Sequence, residues 1–203
     1  MTAPVDQTDR TVAAVCARER RGAAPAIETR DRAVSYHTLI TDSYRAGNTL
    51  RYLGVDVADH VAIDTTDLLR AIPAILGAAQ LGAVTAIGPA MADAAVGVVQ
   101  APAAETTPYD RVAVYGAAPA RPTAVHWEAT MWSENPAIHP VAVDEGWTVL
   151  TDGRRGWSHA EVMQQVQRAG PPTPVRGPIR SGRRLIDDVI APLAAGDSVK
   201  LST

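Results

Sequence analysis

Six residues in one stretch carry most of the ligand chemistry that this sequence offers: Thr151, Gly153, Arg154, Arg155, Gly156 and Ser158, within "WTVLTDGRRGWSHAEVM". A short apolar run leads into a Gly-bracketed turn, and the turn leads into a helix. That layout places backbone amides near a helix N-terminus, where an anion is favoured. Arginines stand where hydroxyls would be expected and no lysine follows. Any grip on an anion would therefore come from loop amides helped by Arg154 and Arg155. The same pattern equally fits a plain turn between two elements. Ser158 followed by Glu161 is a capping-box pattern, and Val162, Met163 and Val166 make the apolar stripe of the helix it starts.

Other reactive side chains form no constellation. His37, His60, His126, His139 and His159 show no pair at helical ligand spacing and no companion cysteines, which argues against a metal site. Asp187 and Asp188 are neighbours and point apart on a helix, as a solvated face does. Ser181, in "RSGRR", lacks the strand-to-helix glycine setting of a nucleophile elbow. Trp127, Trp132, Trp147 and Trp157 fall in the second half without a basic stripe, so packing and loop anchoring are their expected roles. Cys16 sits on an apolar helical face and reads as a small core residue. As the sole cysteine it has no partner within the chain, which fits a reducing compartment or indifference to redox.

Elements of two periods must position these residues. "TVAAVCARERR" has helical spacing, with Gly22 as its stop. A short strand "PAIET" and a charged turn precede a helix capped by Ser35, with the stripe Leu39, Ser43, Ala46, Leu50 and Leu53, closed by Gly54. "HVAID" reads as a buried strand, "DLLRAIPAILGAAQLG" as a helix with Pro73 near its start, and "AVTAIG" as the next strand. Beyond the Pro/Ala-rich stretch 100–108 come a strand "RVAVYG" and an irregular, four-proline segment over residues 117–146. The loop stretch follows, then a Pro/Gly-rich loop, then "RRLIDDVIAPLAAGDSVKL" as a helix, a glycine turn and a strand. Helices alternating with strands predict an α/β fold, a mostly parallel sheet with flanking helices. The 100–108 stretch suggests a single domain with two lobes, about 10–99 and 109–203.

Composition narrows the function classes. A hydrophobic share of 46% against 20% charged residues is that of a globular chain rather than a disordered one. A formal net charge of -3 gives no electrostatic basis for binding nucleic acid or an anionic membrane. The longest apolar run, residues 71–88, is broken by Pro73, Gln80 and glycines, so no membrane span is expected and the predicted location is cytoplasmic. Lys200 is the sole lysine, which removes lysine chemistry from nearly the whole chain.

In order along the chain, the segments "PAIETRDRAVSYHTLITDSYRAGNTLRYLGVDVADHVAI", "AIPAILGAAQLGAVTAIGP", "VHWEATMWSENPAIHPVAVDEGWTVLTDGRRGWSHAEVM" and "VIAPLAAGDSVKL" resemble the N-terminal part of the adenylate-forming superfamily. That superfamily comprises acyl-CoA synthetases, peptide-synthetase adenylation domains and luciferases. The resemblance implies the fold of part of the N-terminal domain of acyl-CoA synthetases, and ATP or AMP as the ligand of the loop; the residues alone assign no cofactor. The family loop reads approximately T-S-G-T-T-G-x-P-K-G. Here Thr151, Gly153 and Gly156 match it, Asp152 replaces a small residue, Arg154 and Arg155 replace threonines, and Pro-Lys-Gly is missing before Ser158 and His159. An aspartate in a phosphate loop repels the ligand. The sequence ends less than halfway through a typical member, before the adenine- and ribose-binding segments and the lid with its catalytic lysine. The expectation is a truncated, non-catalytic relative acting as a binding or regulatory module, partnered by a full-length synthetase or by its own copies. The alternatives are half of a split ATP-dependent acyl-CoA synthetase, completed by a partner chain, and a structural protein that binds no nucleotide.

Overall fold

The computed structural model describes residues 11–15, 22–94, 96–101, 107–119, 122–137 and 141–202. Its strands are β1 (Pro25–Glu28), β2 (Ala33–Ser35), β3 (His60–Ile63), β4 (Val84–Ala86), β5 (Val96–Gln100) and β6 (Arg111–Tyr115). They continue as β7 (Ala124–His126), β8 (Thr148–Thr151), β9 (Gly156–Ser158), β10 (Val175–Arg176) and β11 (Val199–Ser202). The helices are α1 (Tyr36–Tyr52), α2 (Leu68–Gln80), α3 (Trp127–Ser133) and α4 (His159–Arg168). A last helical run comprises α5 (Gly182–Leu185), a π turn (Ile186–Ile190) and α6 (Ala191–Ala195).

One sheet has seven strands in the order β7-β6-β5-β3-β4-β8-β9, and the other has four, β10-β11-β1-β2. Within the larger sheet every pairing is parallel except β8 with β9. The α/β expectation therefore holds. Strands from both sides of residues 100–108 share each sheet, so that stretch links the neighbours β5 and β6 rather than two separate sheets.

Local chemistry explains the elements that position the site. Ser35 caps α1, its hydroxyl accepting the Thr38 amide at 3.2 Å. The predicted stripe Leu39, Ser43, Ala46, Leu50 and Leu53 is buried. Asp67 caps α2 by accepting the Leu69 amide at 3.0 Å. Helix α2 is buried nearly all round, because α1 covers one side and strands β3 and β4 the other. Gly77 lets α1 and α2 meet: a Cβ there would lie 2.6 Å from the Gly47 amide nitrogen. The Tyr36 hydroxyl donates to the Asp197 carbonyl at 2.8 Å, tying the start of α1 to the end of α6.

Three expectations need correction. Residues 12–15 form a 3-10 turn rather than the first turn of the α-helix expected over residues 11–21; Cys16 and residues 17–21 lie outside the described residues. The segment 117–146 is not irregular throughout, for it supplies β7 and α3, with Trp127 almost wholly buried and Met131 beside it in the core. The strand-loop-helix of residues 147–163 is instead a β8–β9 hairpin followed by α4. Trp157 is the reason: its side chain is buried in the middle of β9, which draws the chain back alongside β8 before the helix begins.

Candidate functional site

Parallel strands deliver their C-terminal ends to one edge of the sheet, the usual place for a ligand crevice in α/β proteins. From β3 come Asp64, Thr65 and Thr66, from β4 the 3-10 turn Gly88–Asp93, and from β8 Asp152 and Arg154. With residues 178–184 these segments enclose a cleft of about 750 Å³. Thr65 and Asp152 are buried in its floor, and Arg154, Arg180 and Arg184 are exposed around it. The walls are closely joined. The Thr65 hydroxyl donates to the Ile179 carbonyl, and a Cβ on Gly88 would meet the Arg180 carbonyl oxygen at 2.8 Å. Gly153 adopts φ 80°, and a Cβ there would lie 3.0 Å from the Ala90 amide nitrogen, so the loop sits hard against the 3-10 turn.

The loop satisfies its own amides. Asp152 Oδ1 accepts from the Arg154 amide at 3.0 Å and the Arg155 amide at 3.2 Å. Its other oxygen, Oδ2, accepts from the buried Gly182 amide at 2.9 Å. The Thr151 hydroxyl accepts the Gly153 amide at 3.3 Å and donates to the Arg155 carbonyl at 3.2 Å. A carboxylate from the chain itself thus occupies three backbone donors, and it joins the loop to the first residue of α5. In the sequence alone, Asp152 stands only as a charge that repels a ligand. The Asp-Gly pair after a strand was the available signal for an aspartate that folds back on its own turn.

The six predicted residues do not converge. Arg154 lines the cleft. Arg155 instead pairs with Glu161 at 2.6 Å and lies over the Trp157 ring, 5.4 Å from its centroid. Gly156 and Ser158 belong to β9. Ser158 makes the capping box, its hydroxyl accepting the Glu161 amide at 3.2 Å while the Glu161 carboxylate accepts the Ser158 amide at 2.9 Å. The Ser158 amide, then the Arg155 guanidinium, hold the Glu161 carboxyl below its usual range. Thr151 and Gly153 shape the turn. Arg180, Ser181 and Arg184 were not assigned to the site from sequence, since nothing local links them to a loop nearly thirty residues earlier.

Two neighbouring features are internal. His159, buried at the start of α4, accepts the Val12 amide on Nδ1 at 3.2 Å, and burial lowers its pKa to about 4. Between the ends of β3, β5 and β6, the Tyr115 hydroxyl meets that of Thr66 at 3.2 Å, and burial pushes its pKa up to about 12. Beside it Arg70 pairs with Asp67 and Glu128, and Glu128 also accepts the Gly116 amide at 3.0 Å. This cluster is joined by its own hydrogen bonds and ion pairs at the ends of β3 and β6. Asp187 and Asp188 do point apart, but both are engaged: Gln165 and Arg183 bind the first, Thr173 and Arg184 the second. Among the described residues no group of His, Cys, Asp or Glu is arranged to hold a metal ion, and no helix is long and apolar enough to cross a membrane.

No family model and no curated protein matches the chain. Solved structures do. An anthranilate CoA ligase in complex with anthranoyl-AMP superposes with a TM-score of 0.80 at 16% identity, covering 94% of this chain and 44% of that one. The acyl-CoA synthetase of Brucella canis gives 0.77 at 20% identity, covering 95% and 43%. The coronafacic acid ligase of Pectobacterium brasiliense gives 0.80 at 13% identity, covering 95% and 45%. The chain therefore spans under half the length of these proteins. At such identity the likeness speaks for the fold, and over nearly all of its length this chain has the fold of part of the N-terminal domain of the AMP-dependent acyl-CoA ligases.

Proposed function

We propose that this chain is a non-catalytic, acyl-CoA-synthetase-like protein that acts as a binding or regulatory module, with its phosphate loop closed upon itself. One observation carries the proposal: the Asp152 carboxylate holds the amides of Arg154, Arg155 and Gly182. A polyphosphate would have to displace a buried, triply hydrogen-bonded carboxylate and then lie against its charge. Charge stabilisation of phosphoryl and adenylyl groups needs donors and cations facing the phosphates. Here Arg155 is turned to Glu161, and the sole lysine, Lys200, lies on β11.

The test is ATP–pyrophosphate exchange with magnesium and a panel of carboxylic acids. The proposal expects no exchange above a protein-free control. Exchange by the chain alone would overturn it. Exchange that arises only on adding a second polypeptide, one covering the rest of the ligase fold, would establish the split-enzyme alternative instead.

A further inference from the structure

We propose that the cleft at the strand ends binds a small molecule by a single oxyanion group, held by the guanidinium groups of Arg154 and Arg180. The grip needs neither a metal ion nor the amides of the 152–155 loop. This rests on the reading above, in which those amides are closed, and it moves the anion site from backbone to side chains.

The inference follows from the cleft's charge inventory. Its charged lining residues are Asp64, Asp152, Arg154, Arg180 and Arg184. Arg184 is paired with Asp188 at 3.2 Å. Asp152 is committed to its three amides, and Asp64 Oδ1 accepts the Thr66 amide at 2.9 Å. The hydroxyls of Thr65 and Thr66 are spent on Ile179 and Tyr115. Among the described residues, the side chains of Arg154, Arg180 and Ser181 have no hydrogen-bond or ion-pair partner. Arg154 and Arg180 thus line one concavity with unpaired side chains, and an oxyanion there would gain charge-assisted hydrogen bonds from both.

Charge and size define the ligand. Arg154 and Arg180 are the two cations of the lining that have no carboxylate partner, which suits one anionic group. A triphosphate would bring several charges against Asp64 and Asp152 with no cation to balance them. About 750 Å³ is the size of a small-molecule site, and Pro89, Met91 and Pro178 offer apolar surface to the rest of the ligand. The shared chemistry is a carboxylate or a phosphate monoester with a compact body.

The experiment is calorimetric titration of the full chain, free of divalent cations and at low salt. The probes are inorganic phosphate, AMP and benzoate. At least one should bind saturably; phosphate or AMP binding identifies a phosphate source, and benzoate binding a carboxylate source. Arg180→Ala and Arg154→Ala should each weaken that binding by about ten- to a hundred-fold, while Arg180→Lys retains part of it. Both arginine side chains are exposed and unpaired, so thermal unfolding of the variants should match the parent protein. Absence of binding by all three probes, or binding unchanged in Arg180→Ala, overturns the proposal. Neither result touches the closed-loop reading, whose own tests use magnesium-ATP.

Discussion

Acid should weaken this fold through one buried histidine. His159 accepts the Val12 amide on Nδ1, so the neutral imidazole carries its proton on Nε2. Protonating Nδ1 would set donor against donor in a buried site. Its pKa of about 4 in the fold lies below 6.5, the ordinary histidine value that an unfolded chain would show. As pH falls, the unfolded chain takes up the proton first, so this contribution is full above 6.5 and is lost as pH falls toward 4. At about 1.4 kcal/mol per pH unit, the whole effect is about 3 kcal/mol, of which about 2 kcal/mol is gone by roughly pH 5. Urea unfolding at roughly pH 7.5 and pH 5 should show that loss in the parent protein. His159→Leu, of similar size, should be less stable at the higher pH by about 1–3 kcal/mol, because the Val12 amide loses its acceptor. Its own change between the two pH values should be smaller by about 2 kcal/mol. If both proteins weaken equally on acidification, the histidine is not the cause and the reasoning fails.

Three further substitutions probe the elements around the cleft. Asp152→Asn can still accept from one side but presents an NH2 group to the other, so a buried amide loses its partner; thermal or urea unfolding should show a loss of about 1–3 kcal/mol. Gly77→Ala should lower stability by about 1–3 kcal/mol despite alanine's better helix propensity, because its methyl meets the backbone of Ser43 and Gly47; a gain in melting temperature would show that α1 and α2 separate without cost. Thr85→Val should raise stability by about 1 kcal/mol, since the buried Thr85 hydroxyl has no partner among the described residues and Thr85 lines a small apolar cavity with Ile75, Leu150 and Leu185; destabilisation in urea titration would show that the hydroxyl is in fact bonded.

Local signals were legible in the sequence and non-local ones were not. Ser35 and the Ser158–Glu161 pair act within one turn, so their spacing alone disclosed the helix starts that the structure contains. Strand β5 gave no such sign. It is buried over Val96–Val99, lies between β3 and β6, and follows an alanine-rich stretch, so neither alternation nor a boundary marked it. The prolines around α3 hid a short helix whose existence depends on Trp127 finding a place in the core. At the site, the loop's position was legible but its state was not. Whether Asp152 repels a ligand or replaces one depends on the Gly182 amide, thirty residues away and brought near by the packing of α5. Arg180 became a candidate for the same reason, through the contact of its backbone with Gly88.

The closed loop is tested most directly by amide resonances. In a 1H–15N NMR titration with magnesium-ATP, the amides of Gly153, Arg154, Arg155 and Gly182 are those held by Thr151 and Asp152. The account predicts that these four signals stay in place throughout the titration. Saturable shifts of all four, with loss of their hydrogen bonds to Thr151 and Asp152, would contradict it and return the loop to the role of a phosphate grip.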